Sequence, residues 1–463
     1  MSEWMSAEEA AERLGVKPAT LYAYVSRGTL TRRKHEGRSV FNRTEIEELA
    51  RRGRPRRQAG ATELVIESAI TMLGEDRHYY RGREAIALAA TWRLEETALW
   101  LWTGAEPGAA AGREAGRGAS RGASRDADRD AAPQEGHDWE AAPDALAAAQ
   151  EAQRGLSGDV LPLERLQVIV TALAAADPVR HNLDPAAVAQ TGKGLMAGMV
   201  DALPGTDSSP TSSQIASPAS RQQSRPNSRQ HARQDSRQDF RQDSRQAQYK
   251  GRDRGLHTRL WRKLGAARAE EGLADVLRFA LVLLADHELA ASTLAARVAA
   301  SVRADPYAVV TTGLGTVSGA LHGGASLGVE SLLAEIAEPE RAAQAMGERL
   351  RRGERVAGFG HAVYRAGDAR GDALMDRIRA AVPGYPRLAV AEAVLEEARR
   401  RALPAMNVDF PLGVLTHLAG MPRGAGEAIF GLARTAGWLA HAMEEYANPT
   451  RLRLRAAYTG PLA

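Results

Sequence analysis

The sequence predicts a mostly α-helical protein with a small separate domain at its N-terminus. Its 463 residues are enough for two or three domains with a large buried core, and 44% of them are hydrophobic. Aromatic residues make up only 5% of the chain. The core must therefore be built from Ala, Leu and Val, which suits closely packed helices. In the last two-thirds of the chain, no region alternates apolar and polar residues as a half-buried strand does.

Residues 1–52 have the pattern of a compact unit of their own. Ser6 and Glu9 are spaced as a capping box, which predicts a first helix that ends at Gly15. A second helix is expected over 19–26, because a proline precedes it and Arg-Gly follows it. Two short helices joined by a tight turn form a helix-turn-helix, a motif that commonly binds DNA.

A hairpin wing and a third helix are expected to complete this unit. The wing spans 30–41 with Gly37 at its tip, and Thr44 is expected to cap a helix over 45–51. The residues Ala11, Leu14-Gly15-Val16 and Thr20-Leu21-Tyr22 resemble the winged helix-turn-helix of the MerR and excisionase group. That resemblance implies DNA contacts from Thr20, Tyr22, Tyr24, Arg27, Arg32 and Arg33. It leaves open whether this head binds a protein instead.

Three further segments are rich in arginine. A basic linker over 53–62 follows this unit. The segment Arg52-Gly53-Arg54-Pro55 at its start is either an AT-hook for the minor groove or part of a stiff solvated spacer. Insertions at about 107–135 and 204–256 repeat arginine every fourth residue among small and polar residues. They contain too little apolar surface to bury, so they are expected to be disordered. Each insertion is either a solvated, low-complexity extension of the chain without a binding function or a segment that contacts nucleic acid non-specifically.

Several classes of function are excluded or disfavoured by composition. The chain has no cysteine, which rules out disulfides, thiolate metal sites and a cysteine nucleophile. Its scattered histidines lack the spacing of metal ligands, so no metal site is expected. No apolar run approaches the roughly 18 residues of a membrane span, and the first residues do not form a secretory signal. The sequence therefore predicts a cytoplasmic protein that does not bind a membrane.

Two histidines among glycines and one carboxylate in an apolar stretch point to enolate chemistry. His322 lies in LHGGA and His361 in GFGHAVYR, where missing Cβ atoms let the backbone approach a ligand. Asp409 lies in NVDF, where desolvation would raise its pKa toward that of a useful base. Two neutral donors and one base can remove a proton from carbon beside a carbonyl and stabilise the enolate. The alternative for Asp409 is a helix-capping aspartate.

These segments, in this order, resemble the citrate synthases. Two more support the resemblance: Ala285-Asp286-His287-Glu288-Leu289, and the run from Ala433-Arg434 through Arg453 to Tyr458-Thr459-Gly460. The resemblance covers 63–463 apart from the insertions. It implies a large helical domain, a smaller one at about 324–415, an active site in the cleft between them, and a homodimer. The implied reaction condenses acetyl-CoA with oxaloacetate and hydrolyses citryl-CoA, with no cofactor beyond these substrates.

The resemblance also assigns roles to individual residues. Asp409 would be the base, His322 would bond the acetyl oxygen, and His361 would polarise the oxaloacetate carbonyl. The remaining implied substrate contacts are His287, Arg370, Arg434 and Arg453 for oxaloacetate, and Arg365 for a CoA phosphate. In the family, the residue matched by Arg453 reaches across from the partner subunit.

Two other functions remain open at this point. A 2-methylcitrate synthase would use propionyl-CoA, which is one methylene larger than acetyl-CoA. A pocket discriminates a single methylene by a free energy of only about 1–3 kcal/mol. Ala290 and Ser326 stand where many bacterial members of the family carry Asn, which leaves the acyl preference undecided. The third possibility is a DNA-binding regulator in which the synthase body senses oxaloacetate or CoA.

Overall fold

The computed structural model describes residues 4–14, 16, 21–22, 24–25, 30–35, 38–51, 66–106, 139–205, 255–265, 272–361, 363–364 and 367–453. Its contacts divide the chain into two compact units, 1–67 and 68–463. The linker, nearly all of both insertions, Thr20, Arg27, Arg365 and the segment after Arg453 lie outside the described residues. The predictions made for those residues therefore remain predictions.

The first unit is a small sheet packed against helices. Its strands are Trp4–Ser6, Arg32–His35 and Arg38–Asn42, and its helices include Ala7–Leu14 and Arg43–Arg51. The third strand pairs antiparallel with both others, with Trp4 opposite Asn42 and Arg32 opposite Phe41. This arrangement contains the predicted wing. The first strand, which has only three residues, was not predicted.

The helix starts of this unit follow local capping. The backbone N–H of Glu9 donates to Ser6 Oγ at 3.2 Å, and that of Ser6 donates to Glu9 Oε2 at 2.9 Å, as the capping box requires. The predicted cap of the third helix was two residues late. Asn42 Oδ1 accepts the N–H groups of Thr44 and Glu45, so the helix begins at Arg43 instead.

The second unit is mainly helical. Its helices are Ala85–Thr91, Leu94–Thr103, Pro143–Glu151, Pro162–Ala176, Pro185–Asp201, Leu256–Leu264, Gly272–Leu283, Ala291–Ser301, Pro306–Val317, Gly324–Glu335, Ala342–Arg351, Ala369–Ala381, Pro386–Arg400, Asp409–Leu418 and Ala425–Ala447, with a 3₁₀ turn at Pro339–Arg341. A short antiparallel sheet of Thr71–Leu73, His78–Tyr80 and Arg83–Glu84 was not predicted. No described helix is both long and apolar enough to cross a membrane.

Helix Ala425–Ala447 runs through the core and is buried along most of its length. Small residues on it and on its neighbours permit close packing. A Cβ on Gly313 of helix Pro306–Val317 would lie only 2.5 Å from the Trp438 ring, so that crossing requires glycine. The segment that carries Asp286 and His287 lies between helices Gly272–Leu283 and Ala291–Ser301.

Candidate active site

One cavity of about 640 Å³ collects most of the residues identified from the sequence. It is lined by His287, His322, His361, Arg370, Asp409 and Arg434, together with Ala290, Leu321, Arg355, Asn407 and Phe430. Arg453 is exposed and does not line this cavity in a single chain. Among the described residues, no cluster of His, Asp or Glu side chains has the arrangement of a metal site.

His361 and Asp409 are held by two segments that are hydrogen-bonded to each other. The N–H of Gly360 donates to Ala405 O at 2.8 Å, and that of Asn407 donates to Gly358 O at 3.0 Å. The Asn407 amide then donates to Gly360 O at 2.7 Å. Movement of either segment would therefore displace both His361 and Asp409.

Asp409 is the first residue of helix Asp409–Leu418, but its carboxylate does not cap that helix. The N-cap is Val408, and no side chain caps it. No hydrogen bond reaches the Asp409 carboxylate from the described residues, and its surroundings include the buried Val408 and Phe410. Burial raises the pKa of Asp409 to about 7, although Arg370 and Arg434 act in the opposite direction. The capping alternative is therefore wrong in this structure.

The ring of His361 has a defined acceptor side. Its Nδ1 accepts the backbone N–H groups of Val363 at 3.0 Å and Tyr364 at 3.1 Å, so we assign the proton to Nε2. Burial and the nearby Arg370 lower the pKa of His361, which favours this neutral ring. A guanidinium nitrogen of Arg370 lies 3.4 Å from Nε2. Because both groups are donors, an oxygen of a ligand can bridge them.

His322 is oriented in the opposite sense. Its Nε2 accepts the backbone N–H of Ser292 at 3.3 Å and lies 2.8 Å from Ser292 Oγ, which leaves the proton on Nδ1. Trp438 Nε1 donates in turn to Ser292 Oγ at 3.3 Å. Burial lowers the pKa of His322 to about 4, so the ring is neutral near pH 7. This neutral ring has a free N–H to offer a ligand.

Two buried arginines supply positive charge. Arg370 pairs with Asp368 through Nε and a terminal nitrogen, both at 2.8 Å. Arg434 Nε donates to Leu284 O at 2.8 Å, and its terminal nitrogens have no acceptor among the described residues. Burial lowers the pKa of Arg434 to about 10, which still leaves it charged near pH 7. The cavity therefore suits an anion with more than one oxygen.

His287 forms a third donor position beside these groups. Its ring Nε2 lies 2.9 Å from Tyr364 Oη, and its ring centroid lies 5.5 Å from that of His361. Burial and neighbouring arginines lower the pKa of His287 well below its ordinary value. A neutral imidazole here can donate one hydrogen bond without adding charge to the cavity.

Several supporting residues were not identified from the sequence. They include Ser292 and Trp438 behind His322, Tyr364 beside His287, Asp368 on Arg370, and Arg355 in the cavity wall. A sequence signal existed for Asp368 and Tyr364, which lie inside the same motif as His361, and for Trp438, which lies inside the same motif as Arg434. Ser292 and Trp438 are 146 residues apart, and only the folded helices bring them together.

Comparison with known proteins agrees with this geometry. Residues 61–455 match the family model for the C-terminal domain of citrate synthase, and residues 4–54 match a helix-turn-helix domain. The chain belongs to the citrate synthase family. The match spans most of the chain, so the resemblance drawn from the sequence motifs is confirmed, as is the helix-turn-helix at the N-terminus.

Individual relatives carry either of two names. 2-Methylcitrate synthase 1 of Corynebacterium glutamicum is 36% identical over 197 residues, which are 42% of this chain and 51% of that protein. Citrate synthase 2 of Bacillus subtilis is 39% identical over 186 residues, 39% of this chain and 50% of that protein. The chain therefore spans about half the length of the curated relatives it matches.

Solved structures share the fold. Citrate synthase from Thermotoga maritima superposes with a TM-score of 0.60 at 22% identity, covering 88% of this chain and 96% of that one. A ternary complex of the Thermoplasma acidophilum citrate synthase with carboxymethyl coenzyme A and oxaloacetate superposes with a TM-score of 0.59 at 19% identity. That match covers 87% of this chain and 95% of the other. The predicted fold class, a citrate-synthase-like helical body, is confirmed.

Proposed function

We propose that this protein is a citrate synthase, which condenses acetyl-CoA with oxaloacetate and water to give citrate and CoA. The observation that carries the proposal is the isolated, desolvated Asp409 in a cavity with two neutral histidine donors and two buried arginines. We propose no cofactor beyond the two substrates. The bound ligands of the Thermoplasma acidophilum relative support the same pair of substrates.

In the proposed reaction, Asp409 removes a proton from the methyl carbon of the thioester. His322 donates its Nδ1–H to the thioester oxygen and so stabilises the enol or enolate. The nucleophilic carbon then forms a bond to the carbonyl carbon of oxaloacetate as the C=O π bond opens, and the carbonyl oxygen takes the Nε2 proton of His361. His361 regains a proton from solvent, and Asp409 releases the proton that it removed, so both groups return to their starting state. Water finally cleaves the citryl thioester, which releases CoA and a carboxylate.

Oxaloacetate carries two carboxylates, and the cavity offers matching donors. Arg370, Arg434 and His287 would bind it, with Arg370 and His361 bridged by one ligand oxygen. Arg453 would come from the partner subunit of a homodimer. This accounts for its exposed position away from the cavity in one chain. At the cavity wall, the exposed Arg355 is a second candidate beside Arg365 for a CoA phosphate.

A 2-methylcitrate synthase is the second candidate, because relatives with both names match the chain equally well. Ala290 lines the cavity, whereas Ser326 is buried and its hydroxyl donates to the backbone oxygen of Gly323. Of these two residues, Ala290 is therefore the one that can contact a substrate. Turnover with acetyl-CoA and with propionyl-CoA, with the products identified by mass spectrometry, decides between the two. Turnover with neither would remove the enzyme proposal.

DNA binding is proposed for the N-terminal unit. The edge strand Arg32–His35 exposes four consecutive basic or titratable side chains, Arg32, Arg33, Lys34 and His35. Tyr22 on the neighbouring helical segment is 41% exposed, and the Arg32 guanidinium lies 5.6 Å from its ring. Such a surface can contact phosphates beside a groove.

Full-length protein with Arg32, Arg33 and Lys34 all changed to Ala tests this surface in a DNA-shift titration at several salt concentrations. The affinity should fall, and its salt dependence should become shallower. The control changes three exposed arginines on the second unit, Arg351, Arg399 and Arg400, to Ala. Equal affinity of both variants would contradict the proposal.

A further inference from the structure

Behind His287 lies a row of buried polar side chains that does not line the cavity. Asp286 is fully buried and its Oδ2 lies 3.3 Å from His441 Nε2. On the other side of that ring, His441 Nδ1 lies 2.7 Å from a terminal nitrogen of Arg297. Arg297 is in turn paired with Glu445, whose side chain is also buried. The row connects helix Ala291–Ser301 and helix Ala425–Ala447 to the segment that carries His287.

The hydrogen-bond partners decide which nitrogen of His441 carries its proton. An arginine can only donate, so Nδ1 of His441 must be the acceptor of the contact with Arg297. The proton of the neutral ring is then on Nε2, from which it can be donated to Asp286. Arg297 thereby fixes the tautomer that faces Asp286, and Glu444 and Glu445 fix Arg297.

Asp286 holds the backbone around His287 in an unusual conformation. Its Oδ2 accepts the N–H of Glu288 at 3.1 Å, and Glu288 has a φ of +53°, a left-handed value uncommon for a non-glycine residue. Gly437 leaves room for this carboxylate, because a Cβ there would lie 2.3 Å from Asp286 Oδ1. The position of the His287 ring therefore depends on where the Asp286 carboxylate is held.

We propose that His441 is a positioning residue for the oxaloacetate site. By donating to Asp286 from a tautomer fixed by Arg297, it keeps the 286–288 turn in the shape that presents His287 to the cavity. This inference rests on the proposed function, since it assigns His287 to oxaloacetate. It differs from a catalytic role, because His441 itself is fully buried and does not line the cavity that holds His287.

The test compares His441→Leu with His441→Gln in the full-length protein. Leucine fills similar space without a donor, whereas glutamine keeps an N–H near the position of Nε2. Arg297 retains Glu444 and Glu445 in both variants, which favours folding. We expect His441→Leu to raise the oxaloacetate KM by about tenfold, the loss of roughly one buried hydrogen bond, and to change the acetyl-CoA KM by less than about twofold. In His441→Gln, the oxaloacetate KM should return close to its wild-type value.

A second pair of variants probes the same carboxylate from the other side. One variant displaces it, and the other is a control. Gly437→Ala pushes on Asp286 and on the backbone oxygen of Ala285, whereas Gly431→Ala on the same helix meets only leucine methyl groups. We expect the oxaloacetate KM to rise in Gly437→Ala and not in Gly431→Ala. A thermal melt of each variant separates this effect from general destabilisation.

An unchanged oxaloacetate KM in folded His441→Leu would overturn the inference and leave the proposed function intact. Lack of turnover by the wild type would instead count against the proposed function. In that case, the ¹⁵N spectrum of the histidine side chains, with His287 assigned through His287→Gln, still decides the positioning role. A His287 signal that moves in His441→Leu and returns in His441→Gln supports it. A signal that stays in place overturns it.

Discussion

Two aspartates beside Arg370 have opposite acid–base behaviour, and their hydrogen bonds explain the difference. Asp368 is fully buried, but it accepts bonds from the Arg370 side chain and from the N–H of Val408. Burial raises its pKa, but the charge and hydrogen bonds of Arg370 together with the nearby His361 lower it further, so the pKa falls below the ordinary value. Asp409 has no such donors, and its pKa is about 7. The first carboxylate is suited to hold Arg370, and the second to accept a proton.

The pH dependence of turnover follows from these values. The proposed base acts when ionised, so kcat/KM for acetyl-CoA should rise with pH and level off above about 7. His322, with a pKa of about 4, stays neutral across that range and should add no second step. Steady-state rates between pH 5 and pH 9 measure the profile. In Asp409→Asn the remaining activity should lack the step near pH 7. A wild-type profile that is flat from pH 5 to pH 8 would contradict the assignment.

At the scale of elements, two chain segments far apart in sequence behave as one. The turn at Gly358 has a φ of +85°, and a Cβ there would lie 2.8 Å from the Cβ of Phe410 in helix Asp409–Leu418. Glycine is therefore required twice over, by the backbone conformation and by the close approach. The approach brings His361 and Asp409 to the same side of the cavity.

Gly358→Ala tests this dependence. We expect it to lower the free energy of unfolding by about 2–4 kcal/mol, since strain and overpacking add, and to reduce turnover sharply. The matched control is Gly384→Ala, which has a similar φ of +75° but no neighbour within 4 Å. The control should lower the free energy of unfolding by only about 1–2 kcal/mol and leave turnover unchanged. Denaturant unfolding and turnover, measured for both variants, provide the comparison. Equal losses in the two would count against the coupling of the two segments.

The helices and the residues of the motifs could be predicted because each leaves a local signal. The capping box of Ser6 and Glu9 marked the first helix, and glycine context marked His322 and His361. The partners that set protonation could not be predicted in this way. Ser292, His441 and Arg297 are ordinary helix residues, and their roles arise only from distances across the core. The short sheet at 71–84 has strands of two or three residues, too short for an alternating pattern.

At the scale of the whole molecule, one helix carries an apolar stripe that a single chain leaves uncovered. Leu294 and Val298 on helix Ala291–Ser301 and Val302 at its C-cap follow one another at intervals of four residues and are 37%, 47% and 62% exposed. Exposed apolar groups on one helix face are typical of an interface. We propose that this stripe contributes to the homodimer that would also supply Arg453.

Val298→Glu should weaken the dimer, because a charge would be buried at the interface. Light scattering after gel filtration should show a lower mass, and turnover should fall with it if Arg453 acts in the partner's cavity. Val179→Glu changes a valine that is 67% exposed elsewhere and serves as the control. A Val298→Glu variant that remains a fully active dimer would contradict this use of the stripe.

The most direct test of the central claim is oxaloacetate-dependent release of CoA from acetyl-CoA, measured with a thiol reagent for the wild type and for Asp409→Asn. We predict release by the wild type and a loss of about 10²–10⁴-fold in the variant, the usual contribution of a positioned base. Oxaloacetate binding, followed by calorimetry, should persist in the variant. No release by folded wild-type protein, or comparable release by the variant, would contradict the assignment of this cavity as the site of condensation.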